Sequence, residues 1–149
     1  MIKDNIETLL QDIKKDFYRY RNGMVAEIMK KYSPSGKLIY GLNVPQFLEM
    51  SKNYPHDMEL GLKLWENKNC RESRLFALYI IPTEQLSKDQ ARDMFLDVET
   101  SEEAEFLAFR ILRKLPFAKE LFTELRLEPS LPKYPAYCLL MFEKNLNQM

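Results

Sequence analysis

Apolar residues along the chain are spaced as in amphipathic helices. After Thr100, one helix face carries a continuous apolar stripe, made of Ala104, Leu107, Ala108, Ile111, Leu112 and Leu115. The first residues show the same spacing, in the set Ile6, Leu9, Leu10, Ile13 and Phe17. No segment alternates apolar and polar residues as a half-buried strand does. The pattern therefore predicts an all-α protein.

Capping residues and prolines divide this pattern into short helices. Asn43 has the side chain of an N-cap, with Pro45 in the first turn and Phe47 and Leu48 expected to point inward. Two later segments begin with the spacing of a capping box: Ser87 with Gln90, and Thr100 with Glu103. These signals predict where individual helices start.

Two of the helices repeat one another 31 residues apart. RESRLFALYII (71–81) laid over EEAEFLAFRIL (102–112) aligns Glu72 with Glu103, Ala77 with Ala108 and Ile80 with Ile111. AYCLLMF gives a weaker third copy about 30 residues later. A period of this length built from helix pairs favours an α-solenoid, and an irregular helical bundle is the alternative. We expect a single domain over residues 1–149.

Composition limits the function classes without choosing one. Of the 149 residues, 46% are hydrophobic and 30% are charged, as in an ordinary soluble domain. The 22 basic residues balance the 22 acidic ones, so nucleic-acid binding would need a local basic face. No apolar run approaches the roughly 20 residues of a membrane span. The polar N-terminus and the lone Cys70 and Cys138 predict a cytoplasmic protein with reduced thiols.

Basic residues occur in both copies of the repeat. One copy begins with Arg71, Glu72, Ser73 and Arg74; the next ends near Arg110, Arg113 and Lys114. Cations positioned in this way can contact DNA phosphates without reading the sequence. They can equally be surface charges or structural ion pairs with neighbouring acids. With one histidine, His56, and no glycine-rich phosphate loop, no metal or cofactor is expected.

Three strings resemble the AlkD-like DNA alkylation repair family, and more narrowly a short subgroup of it: YGLNVPQF (40–47), MELGLKLWEN (58–67) and CRESRLFALYI (70–80). In that subgroup a loop reading roughly F-G-V-x-x-P precedes an L-W helix and an R-E-C/S-R-x-L-A helix. The resemblance covers about residues 20 to 125. It implies a superhelix of HEAT-like, paired antiparallel helices, with a concave groove that holds duplex DNA.

The resemblance also implies a site. The family motif, approximately W-D-x-x-D, falls on SEEAE, which places Glu105 at the aspartate position and Ser101 at the tryptophan position. In the family this carboxylate stabilises the positive charge that develops as the bond to an alkylated purine breaks. A longer side chain without its aromatic partner implies weak or degenerate glycosylase activity. Where the family has a later arginine and a second tryptophan, this chain has Lys133, Tyr134 and Tyr137.

Two functions stay open on the sequence. In the first, a DNA repair protein binds duplex DNA and recognises or excises alkylated purines. Its groove would gather basic residues around Glu105, namely Arg71, Arg74, Arg110, Arg113 and Lys114. In the second, a non-catalytic scaffold binds a protein partner through exposed tyrosines or leucines. The zero net charge favours the scaffold, and the family favours DNA repair.

Overall fold

The computed structural model describes residues 2–33, 36–129 and 133–148, and the regular elements in these ranges are all helical. The predicted all-α class is therefore confirmed. The chain forms two compact units, residues 1–82 and 83–149, which are treated separately below. The expectation of a single domain stays a prediction. Among the described residues, no helix is long and apolar enough to cross a membrane.

The helices follow one another with short connections. The first unit contains α1 (Ile2–Arg19), α2 (Gly23–Lys30), α3 (Val44–Ser51), α4 (Met58–Glu66) and α5 (Arg71–Ile80). The second unit contains a 3-10 turn (Thr83–Gln85), α6 (Lys88–Leu96), α7 (Ser101–Arg110), a second 3-10 turn (Leu112–Lys114), α8 (Ala118–Arg126) and α9 (Lys133–Gln148).

The core of the first unit is built around α5, whose ten residues are all buried. Helices α3 and α4 pack against α5, and α1 packs against α4. The Phe76 ring meets the Phe17 ring edge-on, with 5.8 Å between centroids, and lies 6.1 Å from the Phe47 ring. Aromatic pairs in such arrangements contribute about 0.5–1.5 kcal/mol beyond the area that they bury. Ring packing therefore fixes how α1 and α3 meet α5.

The predicted start of α3 is confirmed. The Asn43 side chain accepts a hydrogen bond from the Gln46 N–H at 3.0 Å, and the Gln46 side chain accepts one from the Asn43 N–H at 2.9 Å. The inward orientation of Phe47 is also confirmed, but that of Leu48 is wrong because its side chain is exposed. Phe47 and Met50, three positions apart, form the buried face of α3 instead.

In the second unit, α7 and α8 pack against α9, and α6 packs against α8. The predicted capping box of α6, Ser87 with Gln90, is present. At α7 only half of the predicted box forms. Thr100 Oγ1 accepts a hydrogen bond from the Glu103 N–H at 3.1 Å, but the Glu103 carboxylate accepts its bond from the Glu99 N–H at 3.0 Å. The donor to the Glu103 carboxylate is therefore shifted by one residue, from the N-cap Thr100 to Glu99.

The two copies of the repeat agree in burial. Glu72 and Glu103 are both buried carboxylates that accept backbone N–H groups from residues preceding their helix. The aligned alanines and isoleucines are buried as well. Helix α7 ends at Arg110 because Ile111 leaves helical geometry (φ −120°, ψ −62°). The apolar stripe after Thr100 is nevertheless buried to its end at Leu115.

Candidate nucleic-acid interface

Arg71 and Glu72, at the start of α5, are buried and bonded to each other. One Glu72 oxygen accepts the N–H of Tyr40 at 2.8 Å, and the other accepts the N–H of Gly41 at 3.0 Å. Arg71 Nη1 donates to Glu72 at 2.5 Å and to the carbonyl oxygen of Leu42 at 3.1 Å. We call this arrangement the Glu72 clamp. It ties the 40–42 segment to α5 and neutralises a buried carboxylate with a buried guanidinium.

The 40–42 segment reaches Glu72 because Gly41 has no side chain. Its φ of +87° lies in the left-handed region, and a Cβ atom there would lie 2.6 Å from the backbone oxygen of Asn22. Two constraints, conformation and space, thus require glycine at this position. The Y-G-L sequence of the resemblance motif is explained by this close approach.

Arg74 and Ser73 are also buried and make their contacts inside the protein. The Arg74 guanidinium lies 4.0 Å from the ring centroid of Trp65, in the geometry of a cation–π contact, and the residue is 0% exposed. Ser73 Oγ donates to the carbonyl oxygen of Leu64 at 2.7 Å. A guanidinium buried in this way offers no surface to a DNA phosphate. The burial of Arg71 and Arg74 favours the structural alternative for these two residues.

Three basic residues meet in the second unit, where α7 ends. Arg110 is the last residue of α7, and Arg113 and Lys114 lie in the 3-10 turn that follows. Burial lowers the pKa of Lys114, and the charges of Arg110 and Arg113 lower it further. A Coulombic effect of this kind requires that the cations lie close together. We call these three residues the α7 basic cluster.

An exposed aromatic ring and an exposed carboxylate precede the cluster on α7. Phe109 is 60% exposed, and Glu105, four residues earlier, lies on the same face. The Arg113 guanidinium lies 3.7 Å from the Phe109 ring centroid, and its Nε donates to the Phe109 carbonyl oxygen at 2.6 Å. Burial raises the pKa of the Cys138 thiol in α9, and the nearby charge of Glu105 raises it further. Carboxylate, ring and cation thus follow one another along one face.

The comparisons with known proteins point to one family. The family profile described as DNA alkylation repair enzyme matches residues 13–128, well over half of the chain. The chain belongs to the DNA alkylation repair enzyme family. Its all-α fold is consistent with the solenoid-like fold of that family. No match was found among curated proteins or among solved structures.

The positions that the sequence resemblance assigns to the motif of the DNA alkylation repair family lie in the first turns of α7. Ser101 and Glu105 are both exposed there. The aromatic ring beside the carboxylate is Phe109, which sequence reasoning missed because the repeat aligns it with the buried Leu78. Tyr137 in α9 is exposed, whereas the side chains of Lys133 and Tyr134 lie outside the described part of the structure. In the part that is described, no group of three or more His, Cys, Asp or Glu side chains could hold a metal ion.

Proposed function

We propose that this DNA alkylation repair protein binds duplex DNA through the α7 basic cluster and recognises cationic alkylpurines beside Glu105 and Phe109. In this proposal the protein excises the alkylated base only slowly. The observation that carries it is the crowding of Arg110, Arg113 and Lys114 at the end of α7, where burial lowers the pKa of Lys114 and the two neighbouring cations lower it further. Family membership supplies the class of ligand.

A phosphate group is the natural counterion for crowded cations. The charges of Arg110 and Arg113 disfavour the protonated form of Lys114, and an anion among the three removes that penalty. Arginine also presents several N–H donors to phosphate oxygens at once. The Nε of Arg113 donates to the Phe109 carbonyl oxygen, and this bond helps to hold the guanidinium in place. Such contacts position a duplex without reading its sequence.

Glu105 and Phe109 supply chemistry that suits a positively charged base. A carboxylate attracts the cation, and an exposed aromatic face can stack on the ring that carries it. The same carboxylate would stabilise the positive sugar that forms as the glycosidic bond breaks. Glutamate extends one methylene beyond the aspartate of the family motif, and Ser101 provides no ring at the tryptophan position. These two departures support recognition with slow excision.

The experiment is a DNA titration across a salt series, with two duplexes that differ by a single 7-methylguanine. If the three cations each contact one phosphate, the logarithm of the association constant falls with the logarithm of salt with a slope of about −2 to −3. Glu105→Gln should remove the preference for the methylated duplex and leave the salt slope unchanged. Formation of abasic sites, measured on the same duplexes, reports excision separately.

The control is Lys119→Ala, which removes an exposed cation in α8, outside the cluster. It should leave both affinity and slope near those of the unmodified protein. Absence of binding at low salt would contradict the proposal. Binding with equal affinity for both duplexes would keep the phosphate contacts and overturn the role of Glu105.

A second candidate, the protein-interaction scaffold, is favoured by a different surface. Met24, Ile28 and Tyr32 follow one another at four-residue spacing on and just after α2, and all three are exposed. An exposed apolar stripe of this kind is typical of protein contacts. A photoreactive residue placed at Met24, compared with one at Lys31, should crosslink a partner only from Met24. Failure of the DNA titration together with this crosslink would favour the scaffold.

A further inference from the structure

A cleft in the first unit is separate from the α7 basic cluster and from the exposed face of α2. It runs along α1, facing the 36–40 segment and the α4–α5 turn, and encloses about 400 Å³. A second hollow of about 400 Å³ adjoins it, because both are lined by Gln11, Lys14 and Tyr40. We call the two together the α1 cleft. Its volume lies in the range of small-molecule sites in proteins, about 300–1,000 Å³.

The walls of the α1 cleft are largely apolar. Ile13 and Phe17 of α1 and Leu64 of α4 are buried side chains that line it. Two large apolar residues at the cleft stay partly in water: Leu38 is 46% exposed and Tyr18 is 59% exposed. Covering them with a ligand would remove apolar surface from water, which is favourable by roughly 25 cal/mol per Å². The cleft thus suits a ligand with an apolar or aromatic body.

Charge defines the other part of that ligand. Three lysines line the cleft, Lys14, Lys15 and Lys63, against one acidic residue, Glu7. Among the residues that the structure describes, none of the three lysines forms an ion pair. Three other basic side chains of the first unit, Arg19, Lys30 and Lys52, behave differently, since each pairs with an acid one helical turn away. An anionic group would complement the cleft lysines.

We propose that the α1 cleft binds a small amphipathic anion, a carboxylate with an aromatic or medium-length aliphatic body. The body lies against Leu38 and the buried floor, and the carboxylate pairs with the lysines at the edge. Amide groups of Asn67 and Asn69 in the α4–α5 turn add hydrogen-bonding capacity to the same wall. A DNA duplex is far too wide for a hollow of this volume, so the site is separate from the α7 basic cluster.

The test uses 1-naphthoate as the probe, with the neutral 1-naphthamide as its matched counterpart. Binding is followed by NMR shift changes of the full chain. We expect 1-naphthoate to bind at least about fivefold more tightly than the amide, since only the anion can pair with lysine. Lys14→Glu combined with Lys63→Glu should weaken 1-naphthoate about tenfold or more and leave the amide nearly unchanged. Lys31→Glu, which changes the net charge by half as much at an exposed residue outside the cleft, should have little effect.

The two cysteines can show where 1-naphthoate binds. Cys70 lines the cleft, and Cys138 lies in the second unit. Burial raises the pKa of the Cys70 thiol to about 11, so slow alkylation at pH 8.5 can be followed by peptide mass spectrometry. Bound 1-naphthoate should slow labelling of Cys70 and leave the rate at Cys138 unchanged.

Three results would overturn the proposal: equal affinity for anion and amide, an unchanged affinity in the double lysine variant, or equal effects on both cysteines. Displacement of 1-naphthoate by a short single-stranded oligonucleotide at micromolar concentration would instead assign the cleft to nucleic acid. None of these outcomes depends on whether the α7 basic cluster binds DNA, because every variant lies in the first unit.

Discussion

The start of α5 and the end of α7 both concentrate positive charge, but their surroundings differ. At α5, Arg71 is bonded to the buried carboxylate of Glu72, and Arg74 is stacked on Trp65. At α7, burial lowers the pKa of Lys114, and the nearby charges of Arg110 and Arg113 lower it further. In the first region both arginines are buried against partners inside the protein, whereas in the second an exposed lysine lies near two other cations. A buried cation with its partner built into the fold stabilises structure, whereas the exposed Lys114 can pair with an anionic ligand.

The largest expected effect is at the Glu72 clamp. Glu72→Ala leaves Arg71 buried without its carboxylate and removes acceptors from the N–H groups of the 40–42 segment. Breaking a buried ion pair in this way typically costs about 3–5 kcal/mol of unfolding free energy. Urea denaturation measures this loss. Glu105→Ala, at an exposed position of α7, is the control, and its unfolding free energy should lie within about 0.5 kcal/mol of that of the unmodified protein. A loss below about 1 kcal/mol for Glu72→Ala would mean that the clamp does not stabilise the fold.

Removing cations from the α7 basic cluster should act on binding rather than on stability. Arg113→Ala combined with Lys114→Ala deletes two proposed phosphate contacts, so we expect about a hundredfold loss of DNA affinity at low salt and a slope about two units shallower. Denaturation should show a change of about 1 kcal/mol or less, the loss of the Arg113–Phe109 contact. If the double variant lost its stability but its folded molecules kept their affinity for DNA, the α7 basic cluster would stabilise structure rather than bind DNA.

Gly41 tests whether the 40–42 segment needs its close backbone approach to reach the Glu72 clamp. Gly41→Ala must hold a left-handed φ and place its Cβ against the Asn22 oxygen, so we expect a loss of about 2–3 kcal/mol. Gly36→Ala is the matched control, because its φ is +85° but nothing lies within 4 Å of the added Cβ. That variant should lose only about 1 kcal/mol, the conformational part. Equal losses would show that the close approach to Asn22 is relaxed in solution.

The smallest expected effect is a gain in the free energy of unfolding, at Lys114. The lowered pKa of Lys114 means that its charged form is disfavoured in the folded state, so at neutral pH the charge reduces stability. Lys114→Gln should therefore raise the free energy of unfolding slightly, by less than about 0.5 kcal/mol for this exposed side chain. As the pH rises through the lowered pKa towards 10.5, the difference should disappear, because folded Lys114 loses its proton. A stability gain that persists above that pH would exclude the electrostatic cause.

Sequence reasoning succeeded where the signal is local. The caps at Asn43 and Ser87 were predicted because both partners lie within one helical turn. The Glu72 clamp was not predicted, because its hydrogen bonds join residues 30 to 32 positions apart. Only the fold brings the 40–42 segment to α5.

Helical periodicity and the repeat alignment do not tell which charged and aromatic residues face outward. The repeat aligns Arg74 with Glu105 and Leu78 with Phe109. In each pair the first residue is buried in α5 and the second is exposed on α7. Helix α5 is buried on all sides, whereas α7 keeps one face in water. How many neighbours cover a helix is a tertiary property that its own sequence does not encode.

The Glu72 clamp has a consequence for what happens when the backbone is cut. Its bonds join α5 to the 40–42 segment, so α3 and α4 lie within a stretch of chain whose ends are held together without a covalent link. Lys52, just after α3, is exposed and open to proteolysis. A cut there would place Asp16 and Tyr54, whose hydroxyl donates to Asp16 at 2.5 Å, on different fragments. We expect a first unit nicked at Lys52 to hold both fragments together through this bond and the Glu72 clamp.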